Sequence, residues 1–70
     1  MKFDMDIKDN FASFKDEDGV VVLIDSFDNV DFEVRIGTMA DSQLVGTVKA
    51  TTSSEINQGI FDLYTMYKGV

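Results

Sequence analysis

The sequence predicts an α+β fold, with a small antiparallel sheet of about three to four strands and a C-terminal amphipathic helix. Three observations support this prediction. Apolar and polar side chains alternate along several short segments, residues 20–24 are all apolar, and a helical apolar stripe lies near the end of the chain. The length of 70 residues suits one domain, which we assign to residues 1–70.

Residues 2–8 are predicted to form the first strand. Charged side chains there alternate with apolar ones, which are Phe3, Met5 and Ile7. Strict alternation is typical of a strand that is buried on one side only. The pattern stops at Asp9-Asn10, which indicates a bulge or a short turn.

Extended structure is predicted to resume at residues 11–14 and to end in the turn Asp16-Glu17-Asp18-Gly19, where glycine accommodates a positive φ. The apolar run that follows, residues 20–24, contains four β-branched side chains. Such a run favours a strand that is covered on both sides, either as a central strand or between a sheet face and a helix.

Residues 28–37 fit two structures. Charged residues alternate with Val30, Phe32, Val34 and Ile36, which is typical of a strand. The same segment also has helix-end signals, with Asp28 as N-cap, Asp31 as the acid of the first turn and Gly37 after the last turn. The pattern alone favours the strand, because β-branched residues are poor helix formers.

The C-terminal third is predicted to contain a loop at 38–42, a strand at 44–51 weakened by Gly46, and a helix that ends at Gly69. Ser53 or Ser54 is the expected cap of this helix. Its apolar stripe consists of Ile56, Ile60, Leu63, Tyr64 and Tyr67. Gly59 lies inside the helix at a cost of about 1 kcal/mol relative to alanine, which suggests a close approach by a neighbouring segment.

The negative charge is concentrated in one half of the chain. Ten of the thirteen acidic residues lie in the first 33 positions, and the net charge of the whole chain is −7. Such a field attracts basic surfaces and repels nucleic acid. An acidic field of this kind fits a solubilising surface. It also fits a protein that imitates DNA, because acids two residues apart on a strand, such as Asp4 and Asp6, lie about 6.6–6.8 Å apart on one side, close to the separation of successive phosphates.

Composition argues against an enzyme and against a cofactor. The chain has no cysteine and no histidine, so disulfides and the commonest zinc, acid–base and nucleophilic chemistries are excluded. The Asp16–Gly19 turn resembles a calcium loop only superficially, and solvated turn acids are the simpler interpretation of it and of the acids at 25–33. A chain this small often gains stability by pairing, so we expect a homodimer. The acidic N-terminus and the lack of a long apolar run predict a cytoplasmic protein.

The segment Asp31-Phe32-Glu33-Val34-Arg35-Ile36-Gly37-Thr38-Met39-Ala40-Asp41 resembles the centre of the small uracil-DNA glycosylase inhibitor of the protein-primed Bacillus phages. The acid-rich turn before it is placed similarly, so the match covers roughly Asp16 to Val48. The residues before it and the C-terminal helix are not matched. Members of that family are small acidic homodimers without catalytic apparatus that act as DNA mimics.

The resemblance implies a short central helix at 28–37, which gives an α+β fold with a small antiparallel sheet, this helix and the C-terminal helix. It implies that Phe32 belongs to an apolar cage for the wedge side chain that a glycosylase inserts into DNA. It also implies that Glu33 imitates a phosphate. Ile36 lies where the family has an aromatic cage residue, and Asp28 and Asp31 are expected to be neighbouring contacts.

The expected function is therefore non-enzymatic inhibition of uracil-DNA glycosylase by an acidic DNA mimic that occupies the DNA-binding groove and sequesters the wedge. Another host nucleic-acid enzyme, such as a restriction or CRISPR nuclease, is an alternative target. A small phage structural or accessory protein with an incidentally acidic surface is the other alternative.

Overall fold

A computed structural model describes residues 2–69. Four strands form one antiparallel sheet in the order β1-β2-β3-β4, and a single helix follows. The elements are β1 Phe11–Lys15, β2 Val21–Ser26, β3 Asp31–Gly37, β4 Ser42–Lys49 and α1 Ser53–Lys68. The predicted mixed α+β class with an antiparallel sheet and a C-terminal helix is confirmed. No helix within this part of the chain has the length and apolarity needed to cross a membrane.

The short central helix implied by the resemblance is wrong, because Asp31–Gly37 forms the inner strand β3, paired with β2 and with β4. Phe32, Val34 and Ile36 are at most 1% exposed and share the face that packs against the helix. Because apolar and charged residues alternate along β3, the strand buries all of its apolar side chains on one side of the sheet. This burial outweighs the helix-end signals of the segment.

The expected strand at residues 2–8 is also wrong, although its burial pattern is correct. Phe3 and Met5 are buried while their charged neighbours are exposed. The segment lies along α1 and bonds to helix side chains instead of a neighbouring strand. The Met5 N–H donates to Asn57 Oδ1 (2.8 Å), Asn57 Nδ2 donates to Met5 O (2.9 Å), and the Ile7 N–H donates to Ser53 Oγ (3.0 Å).

The C-terminal helix ends at the predicted residue, but its N-cap differs from the predicted one. Thr52, not Ser53 or Ser54, is the N-cap, and its Oγ1 accepts the Glu55 N–H at 3.2 Å. Gly69 ends the helix with φ 75°. The inner side of the helix packs on the sheet face that carries β3's apolar side chains, through Ile56, Ile60 and Tyr64. The opposite face of the sheet carries neither α1 nor the N-terminal segment.

Two glycines allow α1 to approach β4 closely. A Cβ on Gly59 would overlap the methyl groups of Val48, and a Cβ on Gly46 would lie 3.0 Å from a methyl group of Leu63. The expected close approach at Gly59 is therefore present, and the neighbour is a side chain of β4. Near Gly46 the pairing of β3 and β4 shifts by a β-bulge, which accommodates the extra residue of the edge strand.

Candidate functional site

Four acidic residues lie on the β2–β3 hairpin, at or near its turn. Its tip is built by side chain to backbone hydrogen bonds. Asp28 Oδ1 accepts the N–H groups of Val30 and Asp31, both at 2.9 Å. Ser26 Oγ accepts the Asn29 N–H and donates to Asp31 O, both at 2.8 Å. Asn29 takes the left-handed conformation, with φ 59°, that asparagine tolerates.

The tip is also held to the N-terminal part of the chain. Asn29 Nδ2 donates to the carbonyl oxygens of Ile7 (3.1 Å) and Asp9 (3.2 Å). The Ser26 N–H donates to Asn10 O at 2.8 Å. The hairpin is therefore fixed relative to the segment that packs along α1, and a partner would meet a preorganised surface.

Four carboxylates and one aromatic ring line a shallow depression on this hairpin. The lining residues are Asp25, Ser26, Phe27, Asp28, Asp31 and Glu33. The side chain of Phe27 is fully exposed. A large apolar side chain that is not buried within its own fold is available for contact with a partner. The hairpin thus combines negative charge with one aromatic anchor.

The carboxylates of the depression differ in how far they are neutralised. Arg35 Nη1 lies 3.2 Å from Asp25, and Arg35 Nη2 lies 3.8 Å from Glu33. No ion pair involves Asp28 or Asp31 within residues 2–69. The backbone N–H of Asp31, followed by that of Val30, holds the pKa of Asp28 below its ordinary value. Asp28 and Asp31 therefore carry the charge at the tip that no ion pair offsets.

The structure brings together three of the five predicted contact residues. Asp28, Asp31 and Glu33 all line the hairpin depression. Phe32 and Ile36 lie on the other side of β3, 0% and 1% exposed, beneath α1. The expected apolar cage around Phe32 is consequently not an exposed surface in this fold.

Phe27 was not among the predicted contact residues. The available signal was its position between turn-forming residues, because Ser26 precedes it and Asp28-Asn29 follows it. An aromatic residue in the middle of such a turn has little chance of reaching the core. This arrangement of acids and one exposed ring can bind a basic surface.

A second acidic cluster lies at the opposite end of the sheet and has a structural role. The Tyr64 hydroxyl donates to Asp16 Oδ2 at 2.6 Å, and Lys68 Nζ donates to the same oxygen at 3.0 Å. Asp16 Oδ1 accepts the N–H groups of Asp18 and Val20, both at 2.9 Å. Both carboxylate oxygens are thus engaged by the protein itself. The cluster joins the β1–β2 turn to the end of α1.

The Asp16 cluster predicts a loss of stability in acid. The hydrogen bond from Tyr64, followed by those from Val20 and Lys68, holds the pKa of Asp16 well below its ordinary value. Its stabilising contribution is therefore complete above the unfolded pKa of about 3.9 and is lost as the pH falls toward the lower folded value. We expect the urea midpoint of unfolding to fall as the pH is lowered below about 4, and Tyr64→Phe to reduce this fall.

The matched control is Tyr67→Phe, which removes a hydroxyl from a half-exposed ring in the same turn of the helix. It should leave both the midpoint and its dependence on pH unchanged. Equal behaviour of the two variants would contradict the role assigned to the Tyr64–Asp16 hydrogen bond.

Comparison with protein-family models, with curated proteins and with solved structures finds no match for this chain. No group of three or more His, Cys, Asp or Glu side chains in the described part of the chain is arranged to hold a metal ion. The function must accordingly be inferred from the hairpin surface and from the charge distribution.

Proposed function

We propose that the protein is a non-enzymatic inhibitor that occupies the DNA-binding groove of uracil-DNA glycosylase as an acidic DNA mimic, in the cytoplasm of a host cell. The observation that carries the proposal is the β2–β3 hairpin, where carboxylates without an ion-pair partner lie beside a fully exposed Phe27. The resemblance of residues 31–41 to a glycosylase inhibitor selects this target among the enzymes with basic grooves.

The spacing of the hairpin acids supports imitation of a nucleic acid strand. Asp31 and Glu33 are two residues apart on β3 and project from the same side, at about 6.6–6.8 Å, close to the separation of successive phosphates. Asp28 lies beside them at the tip and remains ionised at neutral pH. Carboxylates placed in this way speed the encounter with a basic groove and help to orient the protein within it.

Phe27 supplies the apolar contact in this proposal. A glycosylase pushes an apolar wedge into the base stack when it extrudes a nucleotide. An inhibitor gains affinity by covering that wedge, and buried aromatic anchors contribute most of the binding energy at many interfaces. Phe32 and Ile36 are buried beneath α1, so the proposal assigns this contact to Phe27 instead.

Uracil release from DNA measures the inhibition directly. We expect wild-type protein to inhibit a glycosylase, and the double variant Asp28→Asn/Asp31→Asn to inhibit at least about tenfold less strongly, equivalent to about 1.4 kcal/mol. Asparagine at position 28 keeps an oxygen that can accept the turn's hydrogen bonds. The matched control, Glu17→Gln/Asp41→Asn, removes two charges from turns at the other end of the sheet.

The control should retain nearly full inhibition. An equal loss in both double variants would mean that net charge, not the hairpin, is responsible. Full uracil release at a large excess of wild-type protein would contradict the glycosylase proposal. Inhibition of a restriction or CRISPR nuclease in the same series would then favour the alternative target.

A further inference from the structure

Residues 2–9, here called the N-terminal clasp, connect the first turn of α1 to the tip of the β2–β3 hairpin. Ile7 makes the connection with its own backbone. Its N–H donates to Ser53 Oγ on the helix at 3.0 Å, and its carbonyl oxygen accepts from Asn29 Nδ2 at the tip at 3.1 Å. Asn29 Nδ2 also donates to Asp9 O at 3.2 Å. Because one residue of the clasp contacts both elements, a displacement of the clasp changes how the tip is held relative to the helix.

Asn57 fixes the clasp to α1 at Met5, two residues before Ile7. Its side-chain amide accepts the Met5 N–H at 2.8 Å and donates to Met5 O at 2.9 Å, as the backbone of a neighbouring strand would. The same nitrogen donates to Ser53 O at 2.8 Å, so the helix backbone sets the orientation of the amide. A single helix side chain thus satisfies both backbone groups of one clasp residue.

The clasp is not part of a strand, so contacts of side chains hold it in place. Besides these hydrogen bonds, the clasp is anchored by Phe3 and Met5, which are buried. The Phe3 ring packs edge to face with Phe14 of β1 and Tyr64 of α1, at centroid distances of 5.1 and 5.5 Å. A segment held in this way can open while the sheet and the helix stay folded.

Opening of the clasp affects the hairpin tip through Asn29. The side chain of Asn29 loses both of its carbonyl acceptors when the clasp leaves. The tip keeps the hydrogen bonds inside its turn, the bond from the Ala50 N–H to Val30 O at 2.9 Å and the bond from the Ser26 N–H to Asn10 O at 2.8 Å. The turn therefore keeps its local shape, but it is no longer held on the side that faces the clasp.

We propose that the closed clasp sets the orientation of the acidic hairpin tip, and that Asn57 is a positioning residue for the binding of a partner at that tip. If the open form binds poorly, the apparent affinity falls in proportion to the closed fraction. Binding at the tip favours closure in turn, because such coupling is reciprocal. The link to inhibition rests on the proposed function, whereas the coupling between clasp and tip does not.

Amide hydrogen exchange tests the coupling without any partner. Asn57→Ala should speed exchange at residues 29–31 of the tip by at least about tenfold, because the clasp opens more often. The matched control is Gln58→Ala, which removes the next amide of the helix, one that donates to Asp62 Oδ1 at 2.9 Å instead of the clasp. This control should leave exchange at the tip within about threefold of wild type.

Gly59→Ala is the control for a loss of stability alone, because it places a new Cβ against Val48 on β4. It should also leave exchange at the tip within about threefold of wild type, since the tip amides exchange through local opening. If Asn57→Ala does not fold, Asn57→Asp replaces it with the same expected result. Aspartate keeps an acceptor for the Met5 N–H and loses the donor to Met5 O.

Asn29→Gly breaks the connection at its other end. Glycine adopts the φ of 59° found at this position, so the variant removes the two bonds to the clasp without changing the charge. In the assay of uracil release, Asn57→Ala and Asn29→Gly should each inhibit at least about threefold less strongly than wild type. The double variant should lose little more than the weaker inhibitor of the two, because both changes act through the same clasp.

Two results would overturn the proposal. One is exchange at the tip that Asn57→Ala leaves unchanged or that Gly59→Ala accelerates equally. The other is a double variant whose loss of inhibition equals the product of the two single losses. A wild-type protein that does not inhibit a glycosylase, but whose tip exchange depends on Asn57, would support the coupling and contradict the proposed function. The two failures are therefore distinguishable.

Discussion

Phe32→Ala is expected to lower the free energy of unfolding by about 3–5 kcal/mol, the usual cost of truncating a buried phenylalanine. Phe32 is 0% exposed and is among the largest fully buried side chains of the core. A domain of this size has a total stability of roughly 3.5–10 kcal/mol. The variant should therefore lose between about a third and all of the free energy that keeps the protein folded.

Urea denaturation followed by circular dichroism measures this loss, and Phe27→Ala is its matched control. The same truncation at the fully exposed Phe27 should change the free energy of unfolding by less than about 0.5 kcal/mol. The two variants also separate the two structures considered for residues 28–37. If Phe32→Ala left stability unchanged and Phe27→Ala unfolded the protein, the placement of β3 against α1 would be wrong.

The assignment of β3 shows what the sequence could predict. Val30, Phe32, Val34 and Ile36 alternate with charged residues, and the periodicity alone favoured the strand. Asp28 does accept backbone N–H groups, as a helix N-cap would, but those groups belong to the β2–β3 turn. An aspartate that accepts two N–H groups just after its own position can begin a helix or close a hairpin. The competing structures differ in tertiary burial, which a local signal does not contain.

The N-terminal segment shows why periodicity predicts burial more reliably than pairing. Alternation correctly predicted that Phe3 and Met5 face inward. It could not predict that Asn57, a residue 52 positions away from Met5, would satisfy the backbone groups of Met5. A side-chain amide can replace a neighbouring strand because it carries both a donor and an acceptor. Nothing in the local sequence distinguishes the two partners.

The negative charge of the candidate site could be predicted from the sequence, whereas its aromatic contact could not. The resemblance selected Asp28, Asp31 and Glu33 among the ten acids of the first 33 positions, and the sequence itself shows their negative charge. Phe32 was selected over Phe27 through a resemblance, and only the fold places one beneath α1 and the other at an exposed tip. Whether an aromatic ring on a strand is core or contact depends on which side of the sheet it projects from, and a register shift of one residue reverses that side.

Gly59→Ala is the second large expected effect, and two opposing terms decide its sign. Alanine is favoured over glycine inside a helix by about 1 kcal/mol. Against this, the new Cβ would overlap Val48 Cγ1 and lie 2.9 Å from Val48 Cγ2. Valine is stiff about its first side-chain torsion, so it cannot easily turn away. Overpacking typically costs about 1–3 kcal/mol, so we expect a net loss of up to about 2 kcal/mol.

A double-mutant cycle with Val48→Ala isolates the overlap. Val48→Ala alone should destabilise the protein, because it leaves a small cavity between β4 and α1. In the Gly59→Ala background it instead removes the atoms that overlap, so the double variant should be more stable than the sum of the single losses predicts. The coupling free energy from urea denaturation should reach about 1–3 kcal/mol. A Gly59→Ala protein more stable than wild type would mean that helix propensity dominates, and that α1 packs farther from β4 than the close approach at Gly59 requires.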